Sequence, residues 1–97
     1  MTISESDWKI FKELKTKALE RFSQRILDES QAICCNSALS AHERYGELYR
    51  LIHQRDKEMA RAFDGLSRSK AHLQLCLMQD LELLTQEELA RFSKDFC

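Results

Sequence analysis

Four side chains capable of acid–base chemistry recur at helical intervals in the middle of the chain: His42, Tyr49, His53 and Asp56. On a helix the first three lie along one edge and Asp56 falls one turn beyond His53, a layout in which carboxylate, imidazole and phenol could relay a proton. Little else that a catalytic centre needs accompanies them. Glycine occurs only at Gly46 and Gly65, so there is no glycine-rich phosphate loop, and no serine sits in a nucleophile elbow. Tyr49 and His53 are therefore read as a candidate polar edge beside which a small molecule could bind, and the chain is read as a non-enzyme.

Metal and redox chemistry fail on spacing. Helical di-iron sites use Glu-x-x-His on two helices, whereas Leu39, Arg50 and Ser69 stand three residues before His42, His53 and His72. Cys34, Cys35, Cys76 and Cys97 form no C-x-x-C pair, so they are read as reduced thiols, with Cys76 packed in an apolar helix and Cys97 at a chain end. No cofactor is expected.

Two charge patterns carry more weight. Asp56 falls within the apolar arc of its helix, where a lone carboxylate needs a partner. Arg25 and Glu29 fall inside the apolar arc of the preceding helix. The expectation is a buried ion cluster joining Arg25, Glu29, Arg55 and Asp56, mainly to fix helix register. Secondly, six basic residues between Lys9 and Arg25 face only Glu13 and Glu20, and Lys17, Arg21 and Arg25 make a stripe along one side. That stripe is the basis for an alternative reading as a nucleic-acid-associated factor. With Trp8, Phe11 and Phe22 turned inward there are no exposed rings for bases to stack on, and nucleic acid is the weaker expectation.

These residues all sit on helices. The chain of 97 residues has no proline and no valine, and its five Ile and three Thr are outnumbered by fourteen Leu and eight Ala. Capping chemistry sets the starts: Ser4 with Asp7, Ser40 with Glu43, Thr85 with Glu88, and Ser67 for a third helix. Asp64-Gly65 suits a helix end. The resulting reading is all-α, one domain with helices at about 5–35, 41–64, 68–83 and 86–93, arranged as an antiparallel bundle of three long helices plus a short C-terminal one.

The first helix gathers Trp8, Phe11, Leu14, Ala18, Phe22, Ile26 and Ile33 on one face, and the second gathers Tyr45, Leu48, Ile52, Met59, Phe63 and Leu66. Apolar residues surround the third almost completely, making Leu75, Met78 and Leu83 a candidate interface. Length adds a constraint. An unbroken first helix spans roughly 45 Å, against roughly 30 Å for a compact chain of this size. A kink near Ser23 or Ser30, an elongated monomer, or a homodimer would each resolve the excess.

Sixteen acidic and fifteen basic residues leave a net charge of −1, unlike a dedicated nucleic-acid binder. No stretch is apolar enough to span a bilayer, and the acidic start lacks a signal-peptide pattern, so a cytoplasmic location without membrane contact is expected. The run His42-Glu43-Arg44-Tyr45, with Arg50-Leu51-Ile52, Arg55-Asp56, Ala62-Phe63-Asp64 and the closing Glu87-Glu88-Leu89-Ala90-Arg91-Phe92, resembles a family of small uncharacterised helical proteins of proteobacteria. That resemblance implies the helical fold and carries no functional residue. The leading functional reading is a small protein–protein interaction or regulatory adaptor protein with an unidentified protein partner.

Overall fold

The computed structural model describes residues 3–94 and 96. Its elements are α1 (Glu5–Cys34), α2 (Ala41–Phe63), a 3-10 turn at Arg68–Lys70 leading directly into α3 (Ala71–Asp80), and α4 (Gln86–Leu89). Among the described residues there is no strand, and the chain is all-α.

Local side-chain chemistry sets most helix starts. The Ser4 hydroxyl accepts from the Asp7 N–H at 3.2 Å. Ser40 and Glu43 form a reciprocal capping box, as do Thr85 and Glu88, each satisfying two orphan amides. Gly65, at φ 76°, takes the left-handed turn that follows α2. Ser67 departs from expectation: its side chain makes no capping bond, its hydroxyl meets Ser69, and the chain enters α3 through the 3-10 turn.

The third helical segment starts at Arg68 as expected, through the 3-10 turn, but ends at Asp80, three residues before the expected 83. Leu83 N–H bonds to Met78 C=O at 3.0 Å and Glu82 N–H to Gln79 C=O at 2.9 Å, the paired bonds of a Schellman stop. Glu82 supplies the left-handed residue at φ 57°, a position usually held by glycine. The stop turns the chain so that Leu83 is buried. The fourth helix also closes early, its last turns tightening into i−3 bonds from Arg91 and Phe92 as Phe92 and Phe96 stack at 4.6 Å.

α1 is unbroken across Ser23 and Ser30, whose hydroxyl bonds back to the Ile26 carbonyl at 2.7 Å. α2 runs back along it: Arg44 donates to the Cys34 carbonyl, Arg55 to Glu29, and Phe63 stacks on Phe22. The extents are 52 × 23 × 16 Å, with a radius of gyration of 16.5 Å. A compact chain of this length would give roughly 12–13 Å. The molecule is elongated because two helices are long and the third is short.

The core occupies one end. Phe11, Leu14, Phe22, Leu75 and Met78 are its most buried large side chains, with Trp8, Ile26, Ala62 and Phe63 around them. On α1 the buried face matches the apolar arc of the sequence except that Ile33 is only half-buried. On α2 it does not: of the six apolar residues assigned to its face, Phe63 alone is buried, Met59 packs partly, and Tyr45, Ile52 and Leu66 are exposed. At 1.5 Å per residue α3 is roughly 15 Å long and α2 roughly 35 Å, so α3 roofs only the last turns of α2. Beyond that roof α1 and α2 continue as a pair.

Candidate functional site

The candidate interface on the third helix requires correction. Leu75 and Met78 are 2% and 0% exposed and Leu83 is equally buried, so none can meet a partner. The apolar ring around that helix is spent on α1, α2 and the C-terminal segment. Leu73 is the one large apolar side chain of α3 left outside.

The expected ion cluster is only half assembled. Arg55 holds Glu29 across the helix pair at 2.9 and 3.2 Å and Glu58 on its own helix at 2.7 Å. The Glu29 carboxylate, more than burial can counter, raises the already high pKa of the Arg55 guanidinium. Arg25 instead reaches the third helix's end, donating to the Leu81 carbonyl at 2.7 Å and Glu82 at 3.3 Å. Asp56 is exposed and has no hydrogen-bond or ion-pair partner among the described residues. Its direction on the helix matches the expectation, but no other element covers it there.

The polar edge is also exposed. The Tyr49 and His53 rings stack at 6.0 Å and 5°. His42 and Tyr45 stack one to two turns earlier at 6.4 Å. A depression of about 260 Å³ lies beside this segment, lined by Leu39, His42, Glu43, Gly46, Glu47 and Arg50. Of the proton-relay residues only His42 lines it, Tyr49, His53 and Asp56 do not, and its walls are largely exposed, so it does not bring the relay together. Glu43 on its rim is held below the usual carboxylate range by the Ser40 N–H of the capping box.

Much of the basic stripe closes the fold. Arg21 grips Glu88 with two bonds of 2.7 and 2.8 Å and also donates to the Leu83 carbonyl. Lys17 pairs with Glu13, which is also held by Arg91. Lys15 donates to the Gly65 carbonyl and approaches buried Gln74. Lys12 and Arg68 lie 5.6 and 5.2 Å from the centroid of the buried Trp8 ring. Arg21 and Arg25 thus act as clasps on the carbonyls at the end of α3, where an electronegative helix terminus favours cations.

Cys34 and Cys35 are exposed thiols at the tip of the helix pair, and Cys76 is half-buried, its sulfur 4.0 Å from His72 Nδ1. Cys97 lies outside the described residues. Among the described residues no group of three or more His, Cys, Asp or Glu side chains converges in a way that could hold a metal ion.

The sequence marks Asp7 only as a capping partner of Ser4, yet it is 3% exposed and accepts from both the N–H and the hydroxyl of Ser93. Those two bonds, the hydroxyl first, hold its carboxyl below the usual range despite burial. A polar residue beside Trp8 on a buried face was the available signal; the distant partner was not.

What remains without a partner is the outward side of α2 beyond the core. Tyr45 and Tyr49 are 66% and 62% exposed and Ile52 is 38% exposed, while Leu27 of α1 is exposed on the same stretch of the pair. Comparison with protein-family models, with curated proteins and with solved structures returns no match to this chain.

Proposed function

We propose that this is a small interaction protein whose working surface is the outer side of α2 where the helix passes beyond the core. The observation that carries the reading is the run of Tyr45, Tyr49 and Ile52, large side chains left exposed on a helix whose continuation packs into the core. Tyrosine offers a protein partner both apolar area and a hydroxyl, which is why it is enriched at interfaces. We read the end carrying the core as a short antiparallel bundle of α1, α2 and α3, from which α1 and α2 project as a two-helix arm. The exposed thiols Cys34 and Cys35 fit a reducing, cytoplasmic setting. The alternative as a nucleic-acid-associated factor draws less support, because Arg21 and Arg25 are engaged within the fold. Among the described residues no helix is long and apolar enough to cross a membrane.

Photo-crosslinking tests the reading. A photoreactive residue at Tyr45 should join protein at the stripe, and the product should be lost on Tyr49→Glu. Equal crosslinking from Lys9, on the opposite end of the molecule, would count against it.

A further inference from the structure

We propose that the α2 face is covered by a second copy of this chain, paired antiparallel along α2 about a two-fold axis between Tyr49 and Ile52. This rests on the interaction reading above and names its partner. Going back from Phe63, side chains on one stripe of α2 recur at alternating spacings of four and three: Phe63 and Met59, packed in or against the core, then Asp56, Ile52, Tyr49, Tyr45 and His42, all exposed. This is the spacing of a coiled-coil seam, with one half of the seam used inside the chain and the other half open.

Two copies of such a seam, laid antiparallel, bring the two kinds of seam position opposite one another. With Tyr49 against the partner's Ile52, and the symmetric layer beside it, the centre is apolar. In that register Tyr45 meets the partner's Asp56, and the phenol can donate a hydrogen bond to the carboxylate. That answers the one acidic residue on the stripe, which has no ion pair or hydrogen bond of its own among the described residues. A parallel pair would set Asp56 against Asp56.

The open stripe from His42 to Asp56 is roughly 21 Å long, so the contact is smaller than a standard specific interface and the dimer should be weak and concentration-dependent.

The test is sedimentation velocity in reductant from low micromolar to submillimolar protein. The mass should rise from the 11.4 kDa of one chain towards twice that value. Tyr49→Glu and Ile52→Lys should each leave the protein monomeric where the unmodified chain is dimeric, with helicity intact because both positions are exposed. Mixing the two variants in equal amounts should restore the dimer. The glutamate introduced at 49 then faces the lysine introduced at 52, and the other central layer remains Tyr49 against Ile52. Should either variant lose helicity, Asp56→Lys mixed with Tyr45→Glu makes the same complementation one layer out. A monomer throughout, dimers that survive both single changes, or a mixture that stays monomeric would each overturn the proposal. The Tyr45 crosslink separates the two readings. Joining to a different protein from a monomer keeps the interaction face and removes the second copy; no crosslink at all removes both.

Discussion

Replacing Glu88 with glutamine isolates one ion pair without disturbing the helix cap around it. Glu88 closes α4 onto α1: its carboxylate takes two bonds from Arg21 and one from the Thr85 N–H at 2.9 Å. A glutamine amide can still accept from Thr85, so the capping box survives and the charge is lost. The Arg21 guanidinium first, and the Thr85 N–H after it, hold the Glu88 carboxyl down to about 2 from 4.5. Taken in full, that displacement corresponds to ~3 kcal/mol. The Arg21 side chain is 41% exposed, so solvent and salt reduce the charge–charge part, and about 1–2 kcal/mol is the expected loss. For a chain of this size each kcal/mol moves Tm by roughly 4–8 °C, giving a drop of roughly 5–15 °C at pH 7. The sign with pH follows from a depressed acid: its contribution is present above 4.5, where the unfolded carboxyl is ionised, and is lost as pH falls towards 2. Thermal melts of both proteins by circular dichroism between pH 7 and pH 2 should show a gap that is widest at neutrality and closes at the acid end. An equal melting temperature at pH 7, or a gap that persists at pH 2, would refute the assignment of the pair.

Three further changes probe the same architecture. Asp7→Ala removes the acceptor for both Ser93 donors and should cost about 2–4 kcal/mol, with loosening of the C-terminal segment visible as faster amide exchange at Ser93; unchanged exchange there would contradict the tie. Leu75→Ala should cost about 2–5 kcal/mol in denaturant midpoint, since Leu75 is buried in the core; a surface-like cost under half a kcal/mol would return it to the interface role that burial denies. Glu82→Gly should raise stability by about 0.5–1 kcal/mol, because only the backbone of residue 82 is strained and its side chain is exposed; a lower melting temperature would mean that the Schellman stop depends on the side chain.

Those substitutions also mark what the chain discloses about itself. Helix starts are readable because a capping box is local: Ser40 with Glu43 and Thr85 with Glu88 need only a three-residue spacing, and both form. The buried face of α1 is readable because one helix in contact with everything else expresses its period fully. Helix ends are harder. The stop at Glu82 uses a left-handed residue that carries no glycine to announce it, and the apolar run through Leu81, Leu83 and Leu84 reads as further helix. The helical wheel sets Arg25 beside Asp56 for the same reason, since the carbonyls it binds face it only after the chain has turned.

The misplacement of Asp56 has a different origin. A helical wheel gives the direction of a side chain and says nothing about whether another element lies there. Along α2 the direction is constant while the cover changes, from Phe63 in the core to Tyr45 in solvent, because a ten-residue α3 cannot roof a 23-residue α2. An apolar stripe that outruns its roof exposes large side chains continuously to water, which single-chain packing offers no reason to retain. A second stripe of the same period would supply that reason. The predicted pairing of Tyr45 with the partner's Asp56 would also turn the acidic residue from a defect in the seam into the feature that fixes its register. The sharpest consequence is that Asp56→Ala should not lower the melting temperature of the dilute monomer, where alanine is the better helix former, while weakening self-association several-fold. A destabilised monomer, or no effect on association, would mean that the stripe is explained in some other way.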